Sequence, residues 1–265
     1  MGMRSKSVCL LIVVLELACA LGVAGQSDAG AQFLVAVHGC VHGVARWGDS
    51  VLLYERESGL LYGLRDMGPD LVLIGELAPL ADDLAVLDGI VYYVPERGNE
   101  VERYDLLNEK HLGPIPLPME SLKEYDVVGY CIENDQFILL ATERAWSQPL
   151  KPTLCHQRLI FLDLHSGALL AVIDGAYEQE VIDLECSGGS LYSLVRGRGD
   201  VVRLVVDDAS RTWITESVAI VPAPLDPLGQ YCGFFPEGTG FFIVSCGVCS
   251  LDFVSEIFWC PSFDD

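Results

Sequence analysis

Short apolar runs separated by turn residues recur along the chain, and this pattern predicts strands rather than helices. The run from Ile90 to Val94 is apolar at successive positions. It lacks the polar alternation of a sheet with one face in water. Only Met119 to Tyr125 indicates a helical turn. We therefore predict an all-β protein whose middle strands are buried on both faces.

A turn followed by an apolar strand occurs five times, with turns beginning at Gly48, Asp88, Asn134, Gly188 and Thr239. Most of these units start ~40–50 residues apart, which is the length of a propeller blade. The predicted fold is a single-domain, five-bladed β-propeller, and an open sandwich of irregular strands is the alternative.

An isolated apolar strand, Phe33 to Val37, precedes the first unit. A ring of strands removes exposed edges only if its ends meet. We predict that this strand closes the ring by pairing beside the last unit.

Two segments carry a resemblance to known propeller repeats. The segment from Arg158 to Leu170 resembles the strand–turn–strand piece of pyrroloquinoline-quinone-type repeats, and Val91 to Arg103 is similar to YWTD and NHL repeats. The resemblance extends over the chain after residue 25 as a loose five-fold pattern. It implies a fold and not an activity. We expect no cofactor, because the quinone-binding enzymes are much larger.

The first 25 residues have the layout of a secretory signal peptide. Arg4 and Lys6 precede an apolar stretch from Val8 to Leu15, and small residues follow. Glu16 opposes a membrane anchor, because a carboxylate within a membrane span costs roughly 2.5–3.5 kcal/mol. We predict a signal peptide at 1–25, a propeller domain at 26–265, and a secreted or periplasmic location. We expect no stable membrane insertion of the mature chain.

The cysteines fit an exported chain, in which an even number indicates disulfides. Eight lie after the predicted signal peptide, and all are predicted to pair: Cys40, Cys131, Cys155, Cys186, Cys232, Cys246, Cys249 and Cys260. Eight cysteines allow 105 pairings, and Cys131 in the same unit is one candidate partner for Cys155. Cys246 and Cys249 bracket a Gly-Val pair, and zinc or redox chemistry is the alternative there.

A second candidate metal site is the segment from His38 to His42, with Cys40 between the two histidines. Three ligands at alternate positions of a strand share one face and could bind copper or zinc. Gly39 and Gly43 argue against a regular strand, so the alternative is a disulfide-bonded Cys40 beside two solvated histidines.

The formal net charge of −22 sets the class of partner. A field of this sign repels nucleic acid and anionic membranes, and it favours cations, basic partners or neutral ligands. Solubility alone explains such a charge, and we favour that interpretation.

Motifs for nucleophilic catalysis, phosphate loops and His-Glu-x-x-His are absent from the sequence. Asp83 and Asp183 each lie five residues before the turn of their unit, and Gly43 and Gly129 hold the matching positions in two other units. Both aspartates are therefore expected near the ring axis. They are the candidate catalytic pair, since glycosidases use two carboxylates. Turn-forming or solvated acids are the alternative.

One insertion interrupts the repeats, from Ala145 to Leu154. Insertions in repeat arrays often form the binding face. Trp146 and Lys151 are the predicted ligand-binding residues. We therefore predict a non-catalytic binding or protein-interaction module for an unknown protein or carbohydrate ligand. The alternative is a carbohydrate-active hydrolase or lyase with acids at the axis.

Overall fold

The computed structural model describes residues 32–65, 70–96, 98–144, 155–177, 180–196, 200–207, 210–220, 230–237, 240–249 and 252–261. Within these ranges the regular structure consists of strands, and no α-helix occurs. The all-β prediction is confirmed. The segment predicted as a signal peptide, residues 1–25, lies outside the described residues.

The described strands form antiparallel meanders of four, which we call units 1 to 5. Unit 1 contains β2 (Val41–Trp47), β3 (Ser50–Glu55), β4 (Leu60–Arg65) and β5 (Leu71–Glu76). Unit 2 contains β6 (Ala85–Leu87), β7 (Ile90–Tyr93), β8 (Glu100–Asp105) and β9 (Lys110–Pro116). Unit 3 contains β10 (Tyr125–Glu133), β11 (Gln136–Glu143), β12 (Cys155–Asp163) and β13 (Leu169–Tyr177).

Unit 4 contains β14 (Val181–Ser187), β15 (Ser190–Val195), β16 (Asp200–Asp207) and β17 (Thr212–Ile220). Unit 5 contains β18 (Gln230–Glu237), β19 (Gly240–Cys249) and β20 (Asp252–Pro261), and its fourth strand is β1 (Gln32–His38). The first strand of each unit is its innermost strand, and the fourth is its outermost.

Turn chemistry explains where the strands end. The first hairpins of units 1, 2 and 4 turn through glycines with positive φ, including Gly48 at 59° and Gly89 at 76°. In units 2 and 3 an aspartate stabilises the turn after the third strand. Asp105 accepts hydrogen bonds from the backbone N–H groups of Leu107 and Asn108, and Asp163 accepts one from Ser166.

Ring closure follows from two sets of contacts. The inner strands β2, β6, β10, β14 and β18 contact one another in cyclic order, with β18 returning to β2. At the outside, β1 pairs antiparallel with β20, placing Phe33 opposite Phe258 and Val37 opposite Ser255. The prediction that the segment from Phe33 to Val37 pairs beside the last unit is confirmed.

The core lies between successive units. Second strands bury consecutive residues, as at Leu52, Leu53 and Tyr54 of β3, and at Leu139 and Leu140 of β11. Consecutive strand residues point to opposite faces, so both faces of these strands are covered. This confirms the interpretation of the unbroken apolar runs.

One contact joins two of the units at their outer strands, which affects the count of separate sheets. A single parallel residue pair, Asp174 with Thr212, joins units 3 and 4 into one eight-stranded sheet. The other three sheets have four strands each. Five blades therefore stay a prediction, which the cyclic contacts of the inner strands support.

Candidate functional site

A cavity of about 690 Å³ opens on one face of the ring. Its walls come from the links between units and from the links between second and third strands. Both kinds of link lie on the same face of the ring, because strands alternate in direction along each meander. The links between units contribute Asp82, Met119 and Glu180 to the wall. The links between second and third strands contribute Arg56, Glu96, Arg144 and Arg196.

Acidic groups dominate the cavity wall. Three arginines line it, and each makes an ion pair there: Arg56 with Asp82 at 2.9 Å and with Glu96 at 3.0 Å, Arg144 with Asp126 at 2.7 Å, and Arg196 with Glu180 at 2.8 Å. Seven carboxyl side chains share the lining with them: Glu57, Asp82, Glu96, Asp126, Glu143, Glu180 and Asp183. The cavity therefore carries an excess of negative charge over the arginines.

Three buried carboxyl groups lie together at the base of this cavity. Asp183 lines the cavity, and oxygens of Asp83 and Glu185 lie within 4.8 Å of it and of each other. The exposed fractions of Asp83, Asp183 and Glu185 are 0%, 3% and 7%. We call these three residues the axial cluster.

The two aspartates of the cluster make equivalent hydrogen bonds. Asp83 accepts the N–H of Leu84 at 2.7 Å and that of Tyr130 at 3.0 Å. Asp183 accepts the N–H of Leu184 at 2.9 Å and that of Phe234 at 2.7 Å. Each carboxyl group thus accepts the N–H of the residue that follows it and an N–H from the inner strand of the next unit along the chain.

Close approach of the inner strands creates this geometry. A side chain on Gly129 would place its Cβ 2.5 Å from the carbonyl carbon of Asp183, and one on Gly233 would lie 2.4 Å from the carbonyl oxygen of His42. Asp183 itself has a φ of 59°, a left-handed conformation that few residues other than glycine adopt. Asp183 lies at a register shift of β14, where it has no partner on β15. This bulge directs the carboxyl group toward the axis.

Burial changes the protonation of the cluster. Desolvation is the largest effect, and it raises the pKa of Asp83 and of Glu185 well above their ordinary values. It also raises the pKa of Asp183. Asp83 and Asp183 share a side-chain hydrogen bond that raises the pKa of Asp83 and lowers that of Asp183. Burial and this hydrogen bond together favour a shared proton over two ionised carboxylates.

The cluster compares directly with the sequence prediction. Asp83 and Asp183 lie near the axis as expected, although Asp83 precedes β6 rather than lying within it. Their catalytic role stays untested. Glu185 was missed. It follows Asp183 by two positions on the same strand, which is the spacing of residues that share one face.

The candidate histidine site does not form a single strand face. His38 ends β1, Gly39 has a φ of 114°, and His42 belongs to β2. His42 instead lines the cavity, with Nδ1 3.7 Å from an oxygen of Asp82. Among the described side chains, the one group with metal-ligand spacing is the axial cluster. The prediction of alternate ligands on one strand is therefore wrong.

The cysteine pattern differs from the prediction in part. Cys131 of β10 bonds to Cys186 of β14, joining units 3 and 4 at their inner strands. The candidate Cys131–Cys155 pairing is therefore wrong. Cys155 and Cys260 are buried thiols outside any disulfide, and burial raises the pKa of each to about 11.

Several predicted residues cannot be compared. Trp146 and Lys151 lie outside the described residues. The side chains of Cys232, Cys246 and Cys249 also lie outside them, although the last two belong to β19. Glu143 and Arg144, which precede the insertion in sequence, line the cavity. The described segments include no helix of the length and apolar character that a membrane span requires.

Solved structures are similar to this chain across most of its length. The glutaminyl cyclase of Myxococcus xanthus shares 14% identity with a TM-score of 0.55, over 88% of this chain and 97% of that protein. GH43B of the Bacteroides ovatus xyloglucan PUL shares 13% identity with a TM-score of 0.56, over 86% of this chain and 53% of that protein. The fold is a β-propeller. No family model matches the chain, and neither does any curated protein. At these identities the likeness shows the fold alone.

Proposed function

We propose that this protein is an exported, non-catalytic binding propeller whose axial cavity holds a cationic ligand, namely a lysine- or arginine-containing segment of a protein partner. The observation that carries the proposal is the charge of the cavity wall, where seven carboxyl groups accompany three arginines that are already ion-paired. A concave wall of one sign concentrates ligands of the opposite sign.

The size of the cavity supports ligand binding. At about 690 Å³ it falls within the range of ~300–1,000 Å³ that is usual for ligand pockets. Apolar surface from Met119, Leu122 and Tyr125 lies beside the carboxyl groups. Such a wall suits a lysine or arginine side chain, whose apolar stem packs while its charged end pairs.

The geometry of the acids argues against glycoside hydrolysis. Retaining and inverting enzymes separate their two carboxyl groups by ~5–5.5 Å or ~6.5–9.5 Å, with the sugar between them. Asp83 and Asp183 are instead hydrogen-bonded to each other and to backbone N–H groups, and both are buried. This arrangement leaves no substrate gap between them.

Export agrees with two features of the chain. The layout of residues 1–25 is typical of a signal peptide. The Cys131–Cys186 disulfide is the kind of bond that persists in an oxidising compartment.

Calorimetric titration tests the proposal at 150 mM salt, where exposed charges more than ~8 Å apart are largely screened. The probes are a decapeptide of alternating lysine and glycine, its glutamate counterpart, and xylohexaose. We expect binding of the lysine peptide only. Binding of xylohexaose in preference to the peptide would favour the carbohydrate alternative and contradict the proposal.

Charge reversal locates the binding. The double variant Glu57→Lys/Glu143→Lys changes the cavity wall, and the matched control Asp49→Lys/Glu109→Lys makes the same charge change on turns at the opposite face. We expect the first variant to bind the lysine peptide at least about tenfold more weakly, which is about 1.4 kcal/mol. Equal losses in both variants would mean that net charge alone attracts the peptide.

A further inference from the structure

The axial cluster has an unbalanced polar group. Oε1 of Glu185 is buried and has no hydrogen-bond partner among the described residues. The residue is 7% exposed, and its ligand oxygen lies within 4.8 Å of those of Asp83 and Asp183. A buried oxygen without a partner is energetically unfavourable unless a donor or a cation meets it. Glu185 is therefore a buried carboxyl group with unused hydrogen-bonding capacity beside the two aspartates, which points to a ligand in the cluster.

We propose that Asp83, Asp183 and Glu185 hold a divalent cation of the Ca²⁺ class on the propeller axis. The site lies below the cavity and does not depend on a cationic ligand in the cavity. It would join units 2 and 4 through one ion.

The spacing of the oxygens fits calcium. Ca²⁺–O bonds of ~2.3–2.6 Å place two oxygens on opposite sides of the ion up to about 4.6–5.2 Å apart. The three ligand oxygens lie within 4.8 Å of one another. Mg²⁺ dehydrates reluctantly and usually keeps several waters, so a buried cluster of three carboxyl groups suits it less than Ca²⁺. Carboxylate oxygens are hard ligands, which excludes a preference for soft metals.

The charges of the cluster require a counter-ion or protons. None of the ion pairs found among the described residues includes a member of the axial cluster. Each aspartate oxygen accepts one backbone N–H, so it keeps a further lone pair for a metal. The backbone N–H groups of Leu84, Tyr130, Leu184 and Phe234 would then orient the ligands, as groups outside a metal's ligand set commonly do.

Access to the site comes from the cavity. Asp183 belongs to both the cavity wall and the cluster, whereas Asp83 and Glu185 lie beneath it. An ion would therefore reach the cluster from the acidic face. Because the unfolded chain lacks this arrangement, binding would stabilise the folded state.

Thermal unfolding of the full chain at 150 mM NaCl tests the proposal, with CaCl₂, MgCl₂ or EDTA added. We expect CaCl₂ to raise the melting temperature above that in EDTA and above that in MgCl₂. Elemental analysis after dialysis against dilute CaCl₂ should find one calcium per chain. An unchanged melting temperature together with no retained calcium would overturn the site.

Variants separate this site from the acidic surface. Glu185→Gln keeps the shape of the side chain and removes its charge, and Asp126→Asn is the matched control on the cavity wall. We expect Glu185→Gln to weaken calcium affinity at least tenfold and Asp126→Asn to change it less than twofold. Equal calcium affinity in the wild type and in Glu185→Gln would overturn the proposal, because the ions would then be bound elsewhere on the acidic surface.

A stability measurement distinguishes a cation from a proton. If the cluster is neutralised by protons alone, Glu185→Gln is as stable as the wild type in EDTA and in CaCl₂ alike, and that result also contradicts the proposal. Glu185→Gln should bind the lysine peptide as tightly as the wild type does. Failure of the calcium site can therefore be distinguished from failure of the proposed peptide binding.

Discussion

Asp83 and Asp183 share a side-chain hydrogen bond on the propeller axis, although they belong to units 2 and 4. Each also accepts an N–H from the inner strand of the following unit, Tyr130 for Asp83 and Phe234 for Asp183. The pair therefore connects four units. Units 2 and 4 contain the two aspartates, and units 3 and 5 donate the N–H groups. Its structural role is independent of any ligand.

Loss of the Asp83 side chain should destabilise the ring. Asp83→Ala leaves the buried N–H of Tyr130 without its acceptor, which costs about 1–3 kcal/mol. Asp83→Asn keeps one acceptor oxygen and should lose less. Urea unfolding measures both, with the exposed Asp49→Ala as the control. If the Ala and Asn variants unfold at the wild-type midpoint, the carboxyl group does not connect the units.

Gly129 should not tolerate a side chain. Its Cβ would meet the backbone of Asp183 at 2.5 Å, and neither chain segment can move without disturbing the axial cluster. We expect Gly129→Ala to lower the free energy of unfolding by about 1–3 kcal/mol. Gly113→Ala on β9 is the matched control, because its nearest neighbour would be an Arg103 nitrogen at 3.9 Å. Similar stabilities of the two variants would contradict the close packing at the axis.

The cysteines should fall into distinct classes of reactivity. Peptide mapping without reductant should recover Cys131 linked to Cys186. Cys155 and Cys260 should resist alkylation at pH 8 in the folded protein, because burial raises the pKa of each thiol to about 11 and shields it. Both should react once the protein is unfolded. Rapid labelling of either thiol in the native state would be inconsistent with the structure.

Removal of the closing strand should open the ring. A chain lacking residues 26–37 loses the β1–β20 pairing and the buried side chains of Leu34, Val35 and Val37. It also leaves β20 as an unpaired edge, which favours aggregation. We expect a lower melting temperature or visible aggregation by light scattering. A truncated chain as stable and monomeric as the full chain would argue against closure by β1.

The repeat pattern allowed much of the fold to be predicted from sequence. Unbroken apolar runs on second strands revealed burial on both faces, and the lone strand at Phe33 to Val37 revealed the closure. Counting back from each turn placed Asp83 and Asp183 at matching positions, because hairpin length is constant from unit to unit. These inferences depend on local spacing, which a single sequence contains.

Other features depend on contacts between units and could not be predicted. Cys131 pairs with Cys186 rather than Cys155, since the inner strands of units 3 and 4 lie side by side. The approach of Glu185 to Asp83 depends on contact between units 2 and 4, although its spacing from Asp183 was the signal that could have found it. The separation of His38 from His42 at Gly39, where φ is 114°, is by contrast the alternative that Gly39 and Gly43 indicated in the sequence.

The inserted loop offers a test of ligand charge. The segment from Ala145 to Leu154 follows Arg144 at the cavity rim. For a cationic ligand, Trp146→Ala should weaken binding through lost packing, whereas Lys151→Ala should strengthen it by removing a like charge. Calorimetry with the lysine peptide measures both, and circular dichroism checks the fold. Stronger binding of the glutamate peptide than of the lysine peptide would show that the cavity prefers an anionic ligand and would contradict the proposed positive charge of the ligand.

Zero-length carbodiimide coupling of the bound lysine peptide tests the central claim, that the axial cavity is the binding site, most directly. The reagent adds no spacer, so a lysine amine of the peptide is coupled only to a carboxyl group that the amine contacts. Mass spectrometry then identifies the coupled Asp or Glu residue. We predict adducts on the cavity residues Glu57, Asp126 and Glu143 at peptide concentrations near the dissociation constant. Adducts concentrated instead on exposed acids of the opposite face, such as Asp49 and Glu109, would contradict it.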